Sequence, residues 1–471
     1  MQTSLRVLLV AYDNEMVINF FPQGLAYIAA VLVENGYDVE IYNQDKFHYP
    51  CEHLTEYLNK NKFDVVGVSI IGGYYQYKTL LKISEAINQS RNRPFYIIGG
   101  HGPSPEPEFF LSKTKADAVV MGEGEITVIE LLQAIQNGES LATVKGIAYR
   151  NEEEVVVNKK RPLIKDIDSI PFPAFKLFPM DYYKLRRPSF TRKTDFVMRV
   201  LSGRGCPFQC NFCYRMDKGH RPRNTDSIIE EIQLLKEDYR ITHISFTDDL
   251  LMSSVERVVG ICEAFIDTGL NIRWDCNGRL NYAKSKVLQL MKKAGCVFIN
   301  YGIEAMDDQV LKNMRKGLTT KMILKGVRET LEAGISPGLN IIFGNIGDNR
   351  QTLAKGVEFL LKYDDGAQLR TIRPVTPYPG SPLYYYAIEK GLLKDCEDFY
   401  ENKHVNSDLL TVNFTDLDDE EFHLSLFEAN KEILANYYQK KLANSIDECK
   451  KLYLESDASF RGFRQYGYTA E

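Results

Sequence analysis

Gly203-Arg204-Gly205-Cys206-Pro207-Phe208-Gln209-Cys210-Asn211-Phe212-Cys213 sets three cysteines in C-x3-C-x2-C spacing. The run follows residues 196–201, an apolar stretch that reads as a strand, so the three thiols share one tight loop at a strand's carboxyl end. Soft thiolate sulfur suits an iron–sulfur cluster, and three thiolates reach three corners of a cube. No fourth cysteine lies nearby; the next is Cys262, in a helical stretch. One iron is then left open to a substrate. A zinc site with His220 as fourth ligand, or three unlinked core cysteines, are the competing interpretations.

Working outward from this loop, residues 196–385 alternate strand and helix patterns. Strands are expected at 196–201, 243–247, 273–277, 298–302, 338–343 and 368–374. Helices are expected at 227–238, 255–268, 284–294, 324–333 and 355–362. Six strand–helix units make a closed or partly closed parallel barrel, whose chemistry lies at the carboxyl-end face. Residues 1–140 alternate likewise, with strands at 7–10, 39–42, 65–69, 95–98 and 118–121 and helices such as 25–35 and 79–87. That pattern predicts a parallel sheet covered on both faces, with ligands at the strand ends. Residues 141–195 form a connector, with a small hairpin at 146–150 and 155–158 and the helix-breaking Pro171-Phe172-Pro173. Residues 386–471 are a mostly helical C-terminal segment, with its clearest helical spacing at 420–435.

The chain has 471 residues, 44% hydrophobic and 26% charged, enough for two or three ordinary globular domains. A net charge of −5 argues against non-specific nucleic-acid binding. The strand-like Leu5-Arg6-Val7-Leu8-Leu9-Val10 opens the chain without a secretory pattern, and no apolar run has the length to span a membrane. A cytoplasmic protein with no membrane partner is expected. Nine cysteines, six of them scattered singly, do not suggest a disulfide framework.

The cysteine loop, with the aromatic Phe212 ahead of the last cysteine, resembles the radical S-adenosylmethionine (SAM) superfamily. The likeness continues through Thr247-Asp248-Asp249, Trp274-Asp275-Cys276-Asn277-Gly278-Arg279, Gly302-Ile303-Glu304-Ala305 and Thr376-Pro377-Tyr378-Pro379-Gly380-Ser381-Pro382-Leu383. Gly344-Asn345-Ile346-Gly347-Asp348 departs from the family's usual G-x-P-G-E turn. The resemblance implies a partial (β/α)6 barrel in which Cys206, Cys210 and Cys213 ligate a [4Fe–4S] cluster. It also implies that Phe212 packs near the adenine, and that Asn277, Arg279 and Glu304 face the SAM amino acid or ribose.

The first 140 residues resemble the Rossmann-like cobalamin-binding domain that precedes many such barrels. Phe21-Pro22-Gln23-Gly24-Leu25-Ala26-Tyr27-Ile28-Ala29, Ser69-Ile70-Ile71, Gly99-Gly100 and Gly122-Glu123-Gly124-Glu125 carry this likeness. It implies that Ser69, Gly99, Gly100, Gly122, Glu123 and Gly124 line a cobalamin site. Asp13-Asn14-Glu15 holds no histidine, so the family's lower cobalt ligand is missing, and His48 and His101 are the nearest histidines. A domain that kept the fold and lost the cofactor is the alternative.

Together these likenesses imply an enzyme fed electrons by a donor such as flavodoxin or ferredoxin. It would split SAM, abstract hydrogen from a small polar metabolite and, with cobalamin, methylate the resulting carbon. Three alternatives stay open. The radical could instead drive dehydration, epimerisation or rearrangement of a sugar-like substrate, with Tyr214, Tyr301, Tyr378 or Tyr384 relaying hydrogen. The chain could modify tRNA, or it could be a non-catalytic iron–sulfur or cobalamin carrier.

Overall fold

The computed structural model describes residues 4–13, 20–152, 154–216 and 218–457. Asn14, Glu15 and the last residues of the C-terminal segment lie outside that set. The first sheet has seven strands: Arg6–Ala11 (β1), Asp38–Asn43 (β2), Val65–Ser69 (β3), Phe95–Gly99 (β4), Ala118–Val120 (β5), Ile147–Asn151 (β6) and Glu154–Val157 (β7). Their order is β2-β1-β3-β4-β5-β6-β7, with the first five parallel. Strands such as Val65-Val66-Gly67-Val68 are apolar throughout because both faces are covered. Helices Gln23–Glu34 and Glu125–Asn137 pack on one face, and Cys51–Lys60, Tyr74–Asn88 and Pro107–Thr114 on the other. The hairpin assigned to the connector belongs to this sheet instead. β6 pairs antiparallel with β5, and β7 with β6, so the sheet runs past residue 140.

The second sheet is parallel, in the order β15-β14-β13-β12-β11-β8: Val197–Val200 (β8), His243–Phe246 (β11), Arg273–Gly278 (β12), Cys296–Glu304 (β13), Ser336–Phe343 (β14) and Arg373–Pro374 (β15). The edge strands β8 and β15 are not neighbours, so the six strands form an open, curled half-barrel. A two-residue antiparallel pair, Gly203–Arg204 (β9) with Arg221–Pro222 (β10), brackets the cysteine loop. Its shortness left no periodic signal in the sequence.

The barrel helices follow simple rules. Thr225–Tyr239 starts where the Asn224 side chain accepts from the Asp226 amide and ends at Arg240 in the left-handed region. Between them Ile228, Ile229, Ile232 and Leu235 fall on one face and are buried. Each is worth about 1.5–3 kcal/mol of apolar burial.

The C-terminal segment divides its packing between the two sheets. Phe399 and Tyr400 enter the core of the first domain with Tyr77 and Phe110. Glu401 accepts from the Tyr77 hydroxyl and pairs with Lys78. The helix Asp419–Leu454 lies on the barrel instead, where Phe422 stacks on Phe343 at 4.8 Å and Asn430 bonds both backbone groups of Ile372. No helix among the described residues is long and apolar enough to cross a membrane.

Candidate functional site

The cysteine loop leaves β9 at Gly205 and is pinned at its centre by Asn211. That residue's amide donates to Met314 O (2.9 Å), its carbonyl accepts from Leu383 N (2.8 Å), and its side chain exchanges two 3.0 Å hydrogen bonds with Asn345. Asn345 is fully buried. It sits on the turn whose sequence departs from the family pattern, held there as Asp348 accepts from the Gly344 and Asn345 amides. Asn211 and Asn345 were not singled out in the sequence, where 134 residues separate them. The turn's departure from pattern was the only hint.

Around the loop the barrel's carboxyl ends supply a charged group. The Arg279 guanidinium lies 3.5 Å over the Phe208 ring and donates to the Lys316 carbonyl. Lys316 pairs with Glu304 at 2.9 Å, both side chains about nine-tenths buried. Burial works against the Lys316 ammonium, but Glu304 and the Cys210 sulfur outweigh it and raise its pKa. Cys210 hydrogen-bonds Cys213. That bond, against burial and aided by Lys316 and Arg279, lowers the pKa of the Cys210 thiol. The neighbouring Cys213 is correspondingly raised. Lys316 is a second member of the site that no sequence pattern marked.

Local geometry explains the Gly302-Ile303-Glu304 pattern. A bulge in β13 carries Glu304 at φ +67, a left-handed conformation costly for a residue with a side chain. A Cβ on Gly302 would fall 2.1 Å from Glu304 Oε1 and 2.9 Å from Lys316 Nζ. Only a bare backbone leaves room for the pair. Phe212 is half-buried, with Lys316 Nζ 5.9 Å from its ring centre. Asn277 points elsewhere, donating to Asp248 O (2.8 Å) and accepting from Asn300 (3.1 Å). The structure thus brings Phe212, Arg279 and Glu304 to the cysteines and sets Asn277 in a polar ladder along the barrel wall.

Among the described residues no three His, Cys, Asp or Glu side chains converge closely enough to hold a single metal ion. A cubane cluster does not need such convergence, because each thiolate binds a different iron. Three soft sulfurs with Arg279 and Lys316 beside them fit an anionic cluster.

The first domain presents its strand ends to the barrel across a cavity of about 1430 Å³, open mouth included. Ser69, Gly99, Gly100, Gly122, Glu123 and Gly124 all line it, together with Gly203, Arg204 and Gly205 leading into the cysteine loop. Gly100 has φ +98, and a Cβ there would lie 2.3 Å from Ile70 O. A Cβ on Gly24 or Gly122, also lining, would meet nothing within 4 Å, so the bare backbone widens the cavity. Its depths, between Val7, Leu9, Val65 and Leu132, are apolar. These walls fit a flat macrocycle with a nucleotide tail.

Glu123 departs from its expected role. Its carboxylate is committed to Arg204 (2.8 Å), Arg221 (2.9 Å) and the Ile164 amide (2.7 Å), with only 4% of the side chain exposed. It clasps the cavity wall to the hairpin that carries the cysteine loop. His48 pairs with Asp13 at 2.5 Å in a separate polar groove, whereas His101 lines the main cavity. Tyr301 and Tyr384 are core residues: Tyr301 bonds Thr330, and Tyr384 is 1% exposed, so neither is placed as a hydrogen relay.

The Radical SAM superfamily model matches residues 200–360, and the B12 binding domain model matches residues 15–132. An uncharacterised methyltransferase of Pyrococcus horikoshii is 32% identical over 378 residues, 79% of each chain. The anaerobic magnesium-protoporphyrin IX monomethyl ester cyclase of Rubrivivax gelatinosus is 25% identical over 82% of this chain and 69% of its own. Among solved structures, the radical SAM methyltransferase TsrM of Kitasatospora setae, with cobalamin and a [4Fe–4S] cluster bound, superposes with a TM-score of 0.72 at 19% identity. That match covers 92% of this chain and 89% of TsrM.

Proposed function

The chain belongs to the radical SAM superfamily, with a B12-binding domain ahead of its barrel, and from that premise we propose that it methylates a carbon of a small polar metabolite. The observation that carries this is the junction of the two halves, where the cysteine loop and the cavity at the first sheet's strand ends meet at Gly203, Arg204 and Gly205. Bound there, a [4Fe–4S] cluster, SAM and cobalamin supply one-electron cleavage, a carbon radical and methyl carriage.

The chain's own residues position these groups. Cys206, Cys210 and Cys213 hold three irons, and Asn211 fixes the loop between the last two. Arg279 and Lys316 offset the thiolate charge. Glu304 would present a carboxylate to the SAM amino group and Phe212 an aromatic face to its adenine, while Asn277, held by Asp248 and Asn300, braces the barrel wall behind them. Ser69, Gly99, Gly100, Gly122 and Gly124 let the macrocycle lie against backbone. The clasp of Glu123 with Arg204 and Arg221 keeps cavity and cluster loop in register. A flavodoxin- or ferredoxin-type donor supplies the electrons.

Anaerobic reconstitution, then reductant and SAM, tests the proposal. Methyl transfer yields S-adenosylhomocysteine alongside 5′-deoxyadenosine. 5′-Deoxyadenosine alone, with cobalamin loaded and substrate present, would replace methylation with dehydration, epimerisation or rearrangement. Neither product would leave a carrier.

A further inference from the structure

Beside the main cavity lies a second one, of about 1050 Å³ with its mouth, that shares Gln23, Gly24, Leu25, Ser69, Gly100 and His101 with it. Its far wall comes from both halves of the molecule: Asp45 follows β2, and Arg199 stands on β8 of the barrel.

Three polar side chains facing this space are incompletely partnered among the described residues. Arg199 Nε makes no hydrogen bond, and the guanidinium forms no ion pair; its carbon lies 3.3 Å over the Phe20 ring. The carboxylate acting on it, Asp275, is already held by His243 (2.8 Å) and Ser245 (2.6 Å). Asp45 is 4% exposed; the Tyr183 hydroxyl is a weak donor to its carboxylate, which makes no close hydrogen bond. The Tyr183 hydroxyl beside it accepts from Asn43 at 3.0 Å. Gln23 accepts from Thr247 at 2.6 Å, but its Nε2 donor is unmet. Leaving a buried polar group short of partners is costly, the more so if it is charged, so three around one cavity call for a ligand that answers them.

We infer that this cavity is the substrate pocket and that it selects an amphoteric small molecule, with a carboxylate or phosphate on Arg199 and Gln23 and an ammonium or hydroxyl on Asp45. A guanidinium with no acidic partner is matched by an anionic oxygen group, and the Gln23 amide adds a second donor to it. The Asp45 carboxylate accepts from the other end. The Phe20 ring covers the guanidinium and shields that ion pair from water. The inference rests on the methyl-transfer proposal and adds to it the class of substrate.

The test uses the reconstituted, cobalamin-loaded full chain as wild type, Arg199→Leu, Arg199→Lys and Asp45→Asn. Each is incubated anaerobically with a low-mass metabolite extract, washed, and the retained compounds are identified by mass spectrometry. The wild type should retain a compound bearing an acidic group and an amine or hydroxyl. Retention should fall about tenfold or more in R199L, a loss of about 1.4 kcal/mol or more, with R199K intermediate and D45N reduced. Iron and cobalamin contents should not change. Phosphatase pretreatment separates the sources: a phosphate ligand disappears, and a carboxylate persists. Retention of only neutral or purely cationic compounds, equal retention by R199L, or no retention at all would overturn the inference. So would loss of cobalamin from R199L, which would place Arg199 on the cofactor. Formation of S-adenosylhomocysteine in the same preparations is scored separately. An acid retained without methyl transfer refutes the reaction, whereas methyl transfer to a compound with no acidic group refutes the pocket.

Discussion

Replacing Glu123 by alanine removes the carboxylate that ties the cavity wall to both arginines of the cysteine-loop hairpin. Arg204 keeps a second partner in Glu125 at 2.5 Å and Arg221 keeps the Ile164 carbonyl, but both lose their shared carboxylate, and the Ile164 amide loses its acceptor. The side chains are 4% exposed for Glu123, 13% for Arg204 and 15% for Arg221, so screening by water is weak. Breaking such a buried pair from one side costs about 3–5 kcal/mol. At about 2–4 °C per kcal/mol for units of this size, the melting temperature should fall on the order of 10 °C. Glu123→Gln, which keeps an acceptor for one arginine or the amide, should lose less than half as much. The effect has a sign in pH. Burial opposes the ionised carboxylate, but bonds from Arg221, Arg204 and Ile164 outweigh it and lower its pKa. The clasp therefore contributes fully above the unfolded value of about 4.3 and is lost as pH falls through the lower folded value. Thermal melts of the full chain at pH 7 and in acid, for wild type and both variants, measure this. A shift under about 2 °C for E123A at pH 7, or a gap from wild type that persists in acid, would refute the argument.

Gly302→Ala should displace the Glu304–Lys316 pair; SAM affinity, measured by equilibrium dialysis, should drop about tenfold or more while iron content holds. Asn345→Ala strips Asn211 of its two side-chain bonds to Asn345 and leaves it a 3.4 Å bond to the Asn313 carbonyl; reconstituted iron per chain should fall, with a stability loss of about 1–3 kcal/mol. His101→Ala should leave the visible spectrum of bound cobalamin unchanged; a spectral shift would make His101 a cobalt ligand. Burial pushes Asp248 up to about 6, so the protein should lose stability as pH rises from about 4 through 6, and Asp248→Asn should flatten that slope in thermal melts.

Elements that bury a continuous apolar face were readable from sequence, because burial writes its own periodicity. β3 runs Val65–Ser69, as its apolar run predicts, and the helix expected at 227–238 runs Thr225–Tyr239. Where burial stops, so does the signal. The C-terminal helix was expected at 420–435 and continues to Leu454. Beyond Ile433 its apolar residues Tyr438, Leu442 and Ile446 are exposed, so no face is marked. The last barrel strand, expected over 368–374, shrinks to Arg373–Pro374, because Arg370 turns back to Asp364 and the Asn430 side chain takes both backbone groups of Ile372.

The site was readable only where its residues lie close together in sequence. The three cysteines and Phe212 share one loop. Lys316, Asn345 and Arg204 act through partners 12, 134 and 81 residues away, pairings that only the fold reveals. Glu123 lies in a family-like turn whose likeness points it at the cofactor, but two arginines from the other half of the molecule claim its carboxylate.

The central claim is that the three thiolates leave one iron for SAM. Its most direct measurement is the EPR spectrum of the reduced, anaerobically reconstituted protein with and without SAM. A spectrum that moves on SAM addition, and is abolished when Cys206, Cys210 or Cys213 is replaced by alanine, is the predicted result. Zinc in place of iron, or a cluster signal indifferent to SAM, would contradict it.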